Sequence, residues 1–408
     1  MSTSPETEFT ALEPVKIDAV ESELEAMWRT MNAQVAANSG HAVARNSVMT
    51  LVVIARSPEE ANALRSRIHA VNTQHPSRAI VVSANPRADT SGINAFVGAY
   101  TTPDSSCYGE DIVIDATSDA VRHLPGVILP LIVTGLPSYL WWTGTPPWGT
   151  ELLESIVDGS DRFFVDLGEC DQSAAAVAAL DDLVRRKAAR CAIGEMGWTS
   201  HSAWREIIAQ FFDSTDTMPY LSAIERVSVD FAAGDVDAPF NSSQAYLLAG
   251  WLGARLGWQV PHGATTGADF NQQHTVRDSQ KSAVLVELNA RHGVNQKTWW
   301  AEPAPSGDDG HATRSVRSGA LMSVHITCKL NNKRATFTVA REKDLEHATT
   351  VCHVPDVAIP SQTVHLESIG ERDPLAEQLR IVSHDAIFES ALAVAAQLMG
   401  VSGRRMPQ

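Results

Sequence analysis

The chain has 408 residues, of which 44% are hydrophobic, 20% charged and 6% aromatic, the balance of a globular protein rather than a disordered or fibrous one. Acidic residues outnumber basic ones, 48 to 32, and the formal charge of -16 opposes binding to a phosphate backbone, so no nucleic-acid partner is expected. No run reaches the roughly 20 apolar residues that span a bilayer. The nearest, residues 127–142, is broken by Pro130, Gly135 and Pro137. The opening MSTSPETEFTALEP lacks the basic-then-apolar order of a secretory signal, so a cytoplasmic protein without membrane contact is expected. Five cysteines without CxxC spacing suit a reducing compartment.

At this length two domains are expected. The division runs from a flexible leader (1–14) to an N-terminal layered α/β domain (15–195) with a mixed or mostly parallel sheet. A C-terminal α+β domain (196–408) with antiparallel strands follows. In the first domain Ile17, Val20, Leu24, Met27, Trp28 and Met31 recur in three- and four-residue steps, which predicts an amphipathic helix over 15–35. Residues 48–55, VMTLVVIA, are a β-branched run suited to a strand buried on both faces. Ser57-Pro58-Glu59-Glu60 supplies an N-cap, a first-turn proline and early acids for a helix whose inner stripe is Leu64, Ile68 and Val71. AIVVSA at 79–84 reads as the next strand, giving a β-α-β unit with parallel pairing and a right-handed crossover. Strands are expected at 93–101 and 108–116 about a turn at 104–106, then a partly helical stretch at 120–132. A strand at 138–143, a helix at 152–158, a strand at 162–166 and a helix at 172–187 complete this half.

Composition then shifts. A short helix is expected at 204–212, a strand at 224–231 and a helix at 242–256 capped by Asn241 or Ser242. The polar segments 260–280 and 303–315 read as exposed loops. Strands are expected at 283–290, 321–330 and 334–340, the last two as a hairpin around Asn331-Asn332-Lys333. A helix at 384–399 and a basic tail, Arg404-Arg405, close the chain.

Missing motifs narrow the chemistry. The sequence has no GxxxxGK[ST], HExxH, GxSxG or CxxC. Ala55-Arg56-Ser57-Pro58 stands where a GxGxxG turn would let a pyrophosphate approach the backbone. No catalytic, cofactor-binding or metal-ligating residue is therefore assigned. Cys352-His353 with His347 and His365 has ligand-type side chains but irregular spacing, and reads as a loop with surface histidines. Asp158-Gly159-Ser160-Asp161 reads as a turn. Asp166, Glu169 and Asp171 follow a strand, where open α/β sheets place ligands. Asp166 or Glu169, or Arg78, would serve the alternative function, an enzyme acting on a small sugar or phosphorylated substrate.

Trp141 and Trp142 are adjacent on a strand and must face opposite ways, one into the core and the other towards a helix layer or solvent. Trp142, with Trp148 in the Gly-Pro-rich loop that follows, is a candidate aromatic anchor for another protein. Arg78 and Tyr108 are further partner-binding candidates, whereas Trp204 and Trp251 read as core. Cys107, in a predicted turn, is the redox candidate by exposure alone.

Several segments occur in an order that resembles a known family: TLVVIA (50–55), HPSRAIVV (75–82), CYGEDI (107–112), LPGVILPLIVTGLPSYLWW (124–142), SDRFFVD (160–166) and SAWREIIAQFF (202–212). AYLLAGWLGARLGW (245–258) extends the match. Together they resemble the glucose-6-phosphate dehydrogenase assembly proteins, the OpcA family of cyanobacteria and actinobacteria. The resemblance implies a non-catalytic assembly factor and allosteric activator that binds the glucose-6-phosphate dehydrogenase oligomer of the oxidative pentose phosphate pathway, without a cofactor. In some cyanobacterial members thiols link activation to thioredoxin, but the shared motifs carry no such switch to a cysteine of this chain. As partner anchors, Trp142→Ala and Trp148→Ala are expected to weaken complex formation more than the fold.

Overall fold

The computed structural model describes residues 12–39, 47–72, 75–101, 108–187, 189–233, 241–261, 265–268, 271–280, 282–291, 317–366 and 373–401. The first sheet contains β1 (Glu13–Val15), β2 (Met49–Ala55), β3 (Ser77–Asn85), β4 (Gly92–Thr101), β5 (Tyr108–Thr117), β6 (Ser138–Trp142), β7 (Arg162–Val165) and β8 (Ala192–Glu195). The second contains β9 (Ile224–Ala232), β10 (Thr265–Ala268), β11 (Asn271–Arg277), β12 (Ala283–Arg291), β13 (Leu321–Leu330), β14 (Lys333–Arg341), β15 (His347–His353) and β16 (Gln362–His365). The α-helices among the described residues are α1 (Val20–Ser39), α2 (Pro58–Asn72), α3 (Leu124–Ile128), α4 (Glu151–Asp158) and α5 (Ser173–Lys187). Then follow α6 (Met196–Ser200), α7 (Ser202–Gln210), α8 (Ser243–Leu256), α9 (Pro374–Arg380) and α10 (Ala386–Leu398).

The first sheet has the order β1-β4-β5-β3-β2-β6-β7-β8. The stretch from β5 to β8 in that order is parallel, and β4 and β1 are added antiparallel at one edge. Numbered along the chain, the parallel strands run 3-2-1-4-5-6, the doubly wound order in which the reversal, here between β2 and β6, opens a crevice at the carboxyl ends. Both faces are apolar, as a parallel sheet requires. Val52, Ile80, Leu140 and Phe163 face one helical layer, in which Leu24, Ile128, Ile156 and Leu180 are buried. Leu51, Val53, Tyr139, Trp141 and Phe164 face the other layer, where α2 contributes Ala61, Ile68 and Val71 and α9 contributes Leu375, Ala376 and Leu379.

The second sheet has the order β10-β11-β12-β9-β13-β14-β15-β16, antiparallel except between β12 and β9. Its inner face, with Val227, Val229, Val286, Ile326 and Phe337, joins the same core as the first sheet. Phe211, Phe212 and Tyr220 close around Phe337, with ring centroids 4.8 to 6.4 Å away. On the outer face one row in register reads Gln273, Glu287, Ser228, His325, Thr338 and Val351, the polar side an antiparallel sheet can present to water. The hairpin turn is at Asn331-Asn332, both with positive φ (49° and 66°), which suits a tight primed turn.

Several elements differ from expectation. The first helix begins at Val20, after a short strand and a 3-10 turn. The segment 260–280 is not simply a loop. β11 alternates buried His274 and Val276 with polar neighbours, and its polar composition hides a period of two. β8 and α9 had no sequence expectation, being short or weakly patterned, and His347, Cys352, His353 and His365, read as a loop, lie instead on the antiparallel strands β15 and β16. The strands of the first sheet end at Glu195 and those of the second begin at Ile224, yet α9 returns from the far end of the chain to cover the first sheet.

Helix α10 lies between α5 and α8, and α8 and α10 meet closely at Gly250. A Cβ there would stand 2.2 Å from the Ala391 carbonyl oxygen and 2.9 Å from the Ala395 nitrogen. Both are backbone atoms that cannot swing aside. Gly250→Ala is expected to destabilise the fold by about 1–3 kcal/mol through overpacking, read as a lower urea midpoint with an unchanged m-value.

Candidate functional site

β2 ends at Ala55 and β6 at Trp142, on either side of the strand-order reversal. In a dinucleotide-binding sheet the turn after the first strand presents backbone N–H groups to a pyrophosphate at a helix N-terminus. Here the chain fills that position itself. The Glu60 carboxylate accepts the Arg56 backbone N–H at 2.6 Å, the Arg56 guanidinium at 2.6 and 3.1 Å, and the Thr143 hydroxyl at 3.2 Å. The Ser57 hydroxyl accepts the Glu60 N–H at 3.2 Å, which fixes the first turn of α2. Gly144, at φ 64°, lets the Arg56 stem pass; a Cβ there would stand 2.8 Å from Arg56 Cδ. Burial pushes the Glu60 carboxyl up, but the hydrogen bonds from Arg56 and Thr143 outweigh it and hold the group below the usual range. A phosphate arriving here would meet a negative charge already in place.

The neighbouring strand ends are also acidic. Asp166, after β7, accepts the Gly168 N–H at 2.8 Å and Arg317 at 2.9 Å. Glu169 accepts the Gly144 N–H at 3.4 Å and lies 3.9 Å from Arg317, while Asp171 accepts the Thr145 hydroxyl at 3.1 Å. Arg56 and Arg317 thus stand among Glu60, Asp166, Glu169 and Asp171, a surplus of carboxylates. Glu195, at the end of β8, is fully buried. It accepts the Leu167 N–H at 3.0 Å, the Trp198 N–H at 2.5 Å and the Gln244 side-chain amide at 3.1 Å. One carboxylate therefore joins the exit of β7, the start of α6 and the first turn of α8. Among the described residues no three His, Cys, Asp or Glu side chains converge in a geometry that could hold a metal.

The structure separates the residues that the sequence grouped. Arg78 lies at the amino end of β3, the opposite end of the parallel strands from Asp166 and Glu169. It is 3% exposed and donates to Glu110 at 2.9 Å, Glu21 at 2.5 Å and the Leu131 carbonyl at 2.9 Å. These three residues therefore form no single catalytic site, and Arg78 pins α1 to the sheet instead of offering a surface. Trp142 and Trp141 face opposite layers, as expected, but both are buried, at 7% and 3% exposure. Trp141 stacks on Phe164 at 6.1 Å beneath the Arg67 guanidinium. Trp142 is thus core rather than an exposed anchor, and its truncation removes packing on the scale of about 3–5 kcal/mol. Trp148 is half-buried and meets Phe163 edge-on at 6.4 Å, with an indole N–H that has no acceptor among the described residues. Only the backbone of Tyr108 is described, paired with Thr101, and Cys107 lies outside the described residues.

Burial pushes the thiols of Cys170, Cys191 and Cys328 up to about 12, which leaves them unreactive at neutral pH. Asp161, read as part of a turn, accepts the Ser138 backbone and hydroxyl at 2.8 and 2.9 Å and ties β6 to β7. The sequence reading missed Arg56, Glu60, Glu195 and Arg317. For Glu60 there was a signal: Ser57-Pro58-Glu59-Glu60 has the spacing of a capping box.

An open, doubly wound α/β sheet whose turn after the first parallel strand carries the Arg56–Glu60 pair, joined through one core to an antiparallel sheet, defines the class of scaffold. Residues 68–182 match the family model described as glucose-6-phosphate dehydrogenase subunit N-terminal domain, and residues 191–392 the model of its C-terminal domain. The chain belongs to this OpcA family. It is 24% identical over 345 residues to the putative OxPP cycle protein OpcA of Synechocystis sp., an alignment covering 81% of this chain and 65% of that protein. With the protein of the same description from Synechococcus elongatus the identity is 25% over 338 residues, covering 80% and 68%. The Nostoc punctiforme relative is 28% identical over 204 residues, covering 48% and 42%. The chain thus spans about two thirds or less of the length of these relatives. Among solved structures it is similar to the KijD10 3-ketoreductase from Actinomadura kijaniata (TM-score 0.44, 8% identity, 87% of this chain and 96% of that one). It is also similar to a levoglucosan dehydrogenase (TM-score 0.43, 8% identity, 85% and 94%). Likenesses at this level carry no chemistry across.

Glu195 gives the site a pH signature. Burial, with the charge of Asp166 beside it, pushes the Glu195 carboxyl from an ordinary 4.5 up to about 7. The folded chain therefore holds this proton more tightly than the unfolded chain, and stability declines as pH rises from about 4.5 to about 7. Glu195→Gln, which cannot ionise, is expected to flatten that decline in urea titrations across this window.

Proposed function

We propose that this chain is a non-catalytic, cytoplasmic partner of glucose-6-phosphate dehydrogenase that binds the dehydrogenase oligomer and favours its active state. Membership of the family supports the partner, and one observation supports the absence of chemistry: the Glu60 carboxylate sits where an α/β enzyme would receive a phosphate. The acidic strand ends point the same way, since a sugar phosphate would meet Asp166, Glu169 and Asp171 around, among the described residues, the Arg56 and Arg317 guanidiniums. Activation then works through linkage. A protein that prefers the active form of its partner shifts the partner's equilibrium by the difference in affinity, and about 1.4 kcal/mol of preference changes the ratio tenfold. Trp148 is the anchor candidate that keeps exposed surface, on the rim loop after β6.

The test adds the purified chain to the dehydrogenase of the same organism and follows NADPH formation across glucose 6-phosphate concentrations. The expected result is a lower apparent KM or a higher maximal rate, with co-elution on a sizing column. Unchanged kinetics without co-elution overturn the proposal, as does turnover of a sugar phosphate by the isolated chain. Trp148→Ala is expected to weaken half-maximal activation about tenfold while retaining the wild-type far-UV spectrum.

A further inference from the structure

Strand pairing brings two histidines together at the edge of the second sheet. Among the described residues β16 closes that edge and pairs with β15 alone. In this antiparallel ladder His347 stands directly opposite His365, and Thr349 directly opposite Thr363. Residues two apart on a strand share a face, so the histidine pair and the threonine pair lie side by side. The two imidazole centroids are 5.0 Å apart, with the ring planes at 70°. The other ligand-type side chains of this segment stand elsewhere. Cys352 falls on the opposite face of β15 and packs against the core. His353 closes the other end of β15, about 20 Å from His347 along the strand.

Carboxylates surround this pair. Asp344 Oδ2 lies 2.6 Å from His347 Nδ1. A carboxylate only accepts, so Nδ1 carries the proton and the lone pair of the neutral ring is on Nε2. That nitrogen has no hydrogen-bond partner among the described residues. Asp344 is itself fixed, because Oδ1 accepts the Glu346 and His347 backbone N–H groups at 3.0 Å. Glu342 brings a second carboxylate to the neighbouring pair, where Oε1 accepts the Thr349 and Thr363 hydroxyls at 2.5 and 3.3 Å. The His347 side chain is 38% exposed and His365 is exposed, so solvent reaches both rings.

A metal ion held by two imidazoles fixes how far apart their rings stand. With zinc–nitrogen bonds of about 2.0–2.1 Å and a ring radius of about 1.1 Å, each centroid lies ~3.2 Å from the ion. A tetrahedral angle at the ion then separates the two centroids by about 5.2 Å. The 5.0 Å between His347 and His365 meets that requirement. A carboxylate on the far ring nitrogen, as Asp344 supplies, is the usual orienting partner of a metal-bound histidine. We propose that His347 and His365 form a binding site for a divalent ion of the zinc class. His347 Nε2 is one ligand, Asp344 orients that ring, and water fills the remaining positions. Two protein ligands make an exchangeable site rather than a permanent structural centre, in keeping with the lack of a three-ligand cluster among the described residues. The ion clips the four-residue β16 to β15 at the end of their ladder, on the stretch of chain that precedes α9. The proposal does not depend on the dehydrogenase reading.

Calorimetric titration and thermal unfolding of the full chain, first freed of metal by a chelator, test it. Zn²⁺ is the probe, and Mg²⁺, which prefers oxygen ligands, is the control. The expected result is saturable Zn²⁺ binding with a rise in the unfolding midpoint, neither of which Mg²⁺ reproduces. His347→Gln and His365→Gln are each expected to weaken the Zn²⁺ affinity at least about tenfold. Asp344→Asn, which keeps the shape and loses the charge, is expected to weaken it about tenfold with both ligands still in place. Absence of saturable Zn²⁺ binding, or an equal response to Mg²⁺, overturns the proposal, as does wild-type Zn²⁺ affinity in either histidine variant. Should His347→Gln fail to fold through loss of its Asp344 contact, His365→Gln, at an exposed position, decides the matter.

Discussion

A parallel sheet is apolar on both faces, and each face must find a cover. In this chain α2 shields β2 and β3 on one side, but the same side of β6 and β7 is covered by α9, which arrives from more than two hundred residues further on. Leu375, Ala376 and Leu379 close over Tyr139, Trp141 and Phe164. Polar contacts set the position of that cover. Asp373 caps α9 and accepts from Arg67 at 2.9 Å, while Gln378 accepts from Arg162 at 2.7 Å and donates to the Glu195 carbonyl at 2.8 Å. The first sheet is finished only by the last part of the chain, and its crevice, its buried Glu195 and its junction with the second sheet all rest on that closure.

The fold was legible where hydrophobic period and end signals agreed. β2, α2 and β3 follow from a β-branched run, a Ser-Pro-Glu-Glu start and a second apolar run, each readable without its neighbours. Elements defined by their partners were not. α9 has seven residues, too few to show a stripe, and β11 carries its two buried positions inside a polar string. The site was harder still. Ser57 and Glu60 show a capping box in the sequence, but that Glu60 occupies a ligand position follows only from a strand order that no spacing reveals. Arg78 and Asp166 looked compatible because each adjoins a strand; opposite ends of parallel strands keep them apart. Trp142 was legible as one of two opposed rings, but whether its side met helix or water depended on α-helices from elsewhere in the chain.

The crevice end of the first sheet is braced by the chain's own side chains. Fold alone does not fix function, and at the turn after β2 an arginine stem crosses Gly144 and pairs with a carboxylate at the helix start. The acidic groups that remain are tied to backbone N–H groups and hydroxyls, which makes them braces for the loops between strands.

The late return of α9 also bears on how the chain emerges from the ribosome. Synthesis runs from the N-terminus at about 5–20 residues per second, so the strands carrying Tyr139, Trp141 and Phe164 leave the exit tunnel many seconds before residues 374–380 are made. For that interval an aromatic sheet face stands uncovered in a crowded cell. A chain that stops short of residue 374 lacks the Leu375, Ala376 and Leu379 cover over these rings.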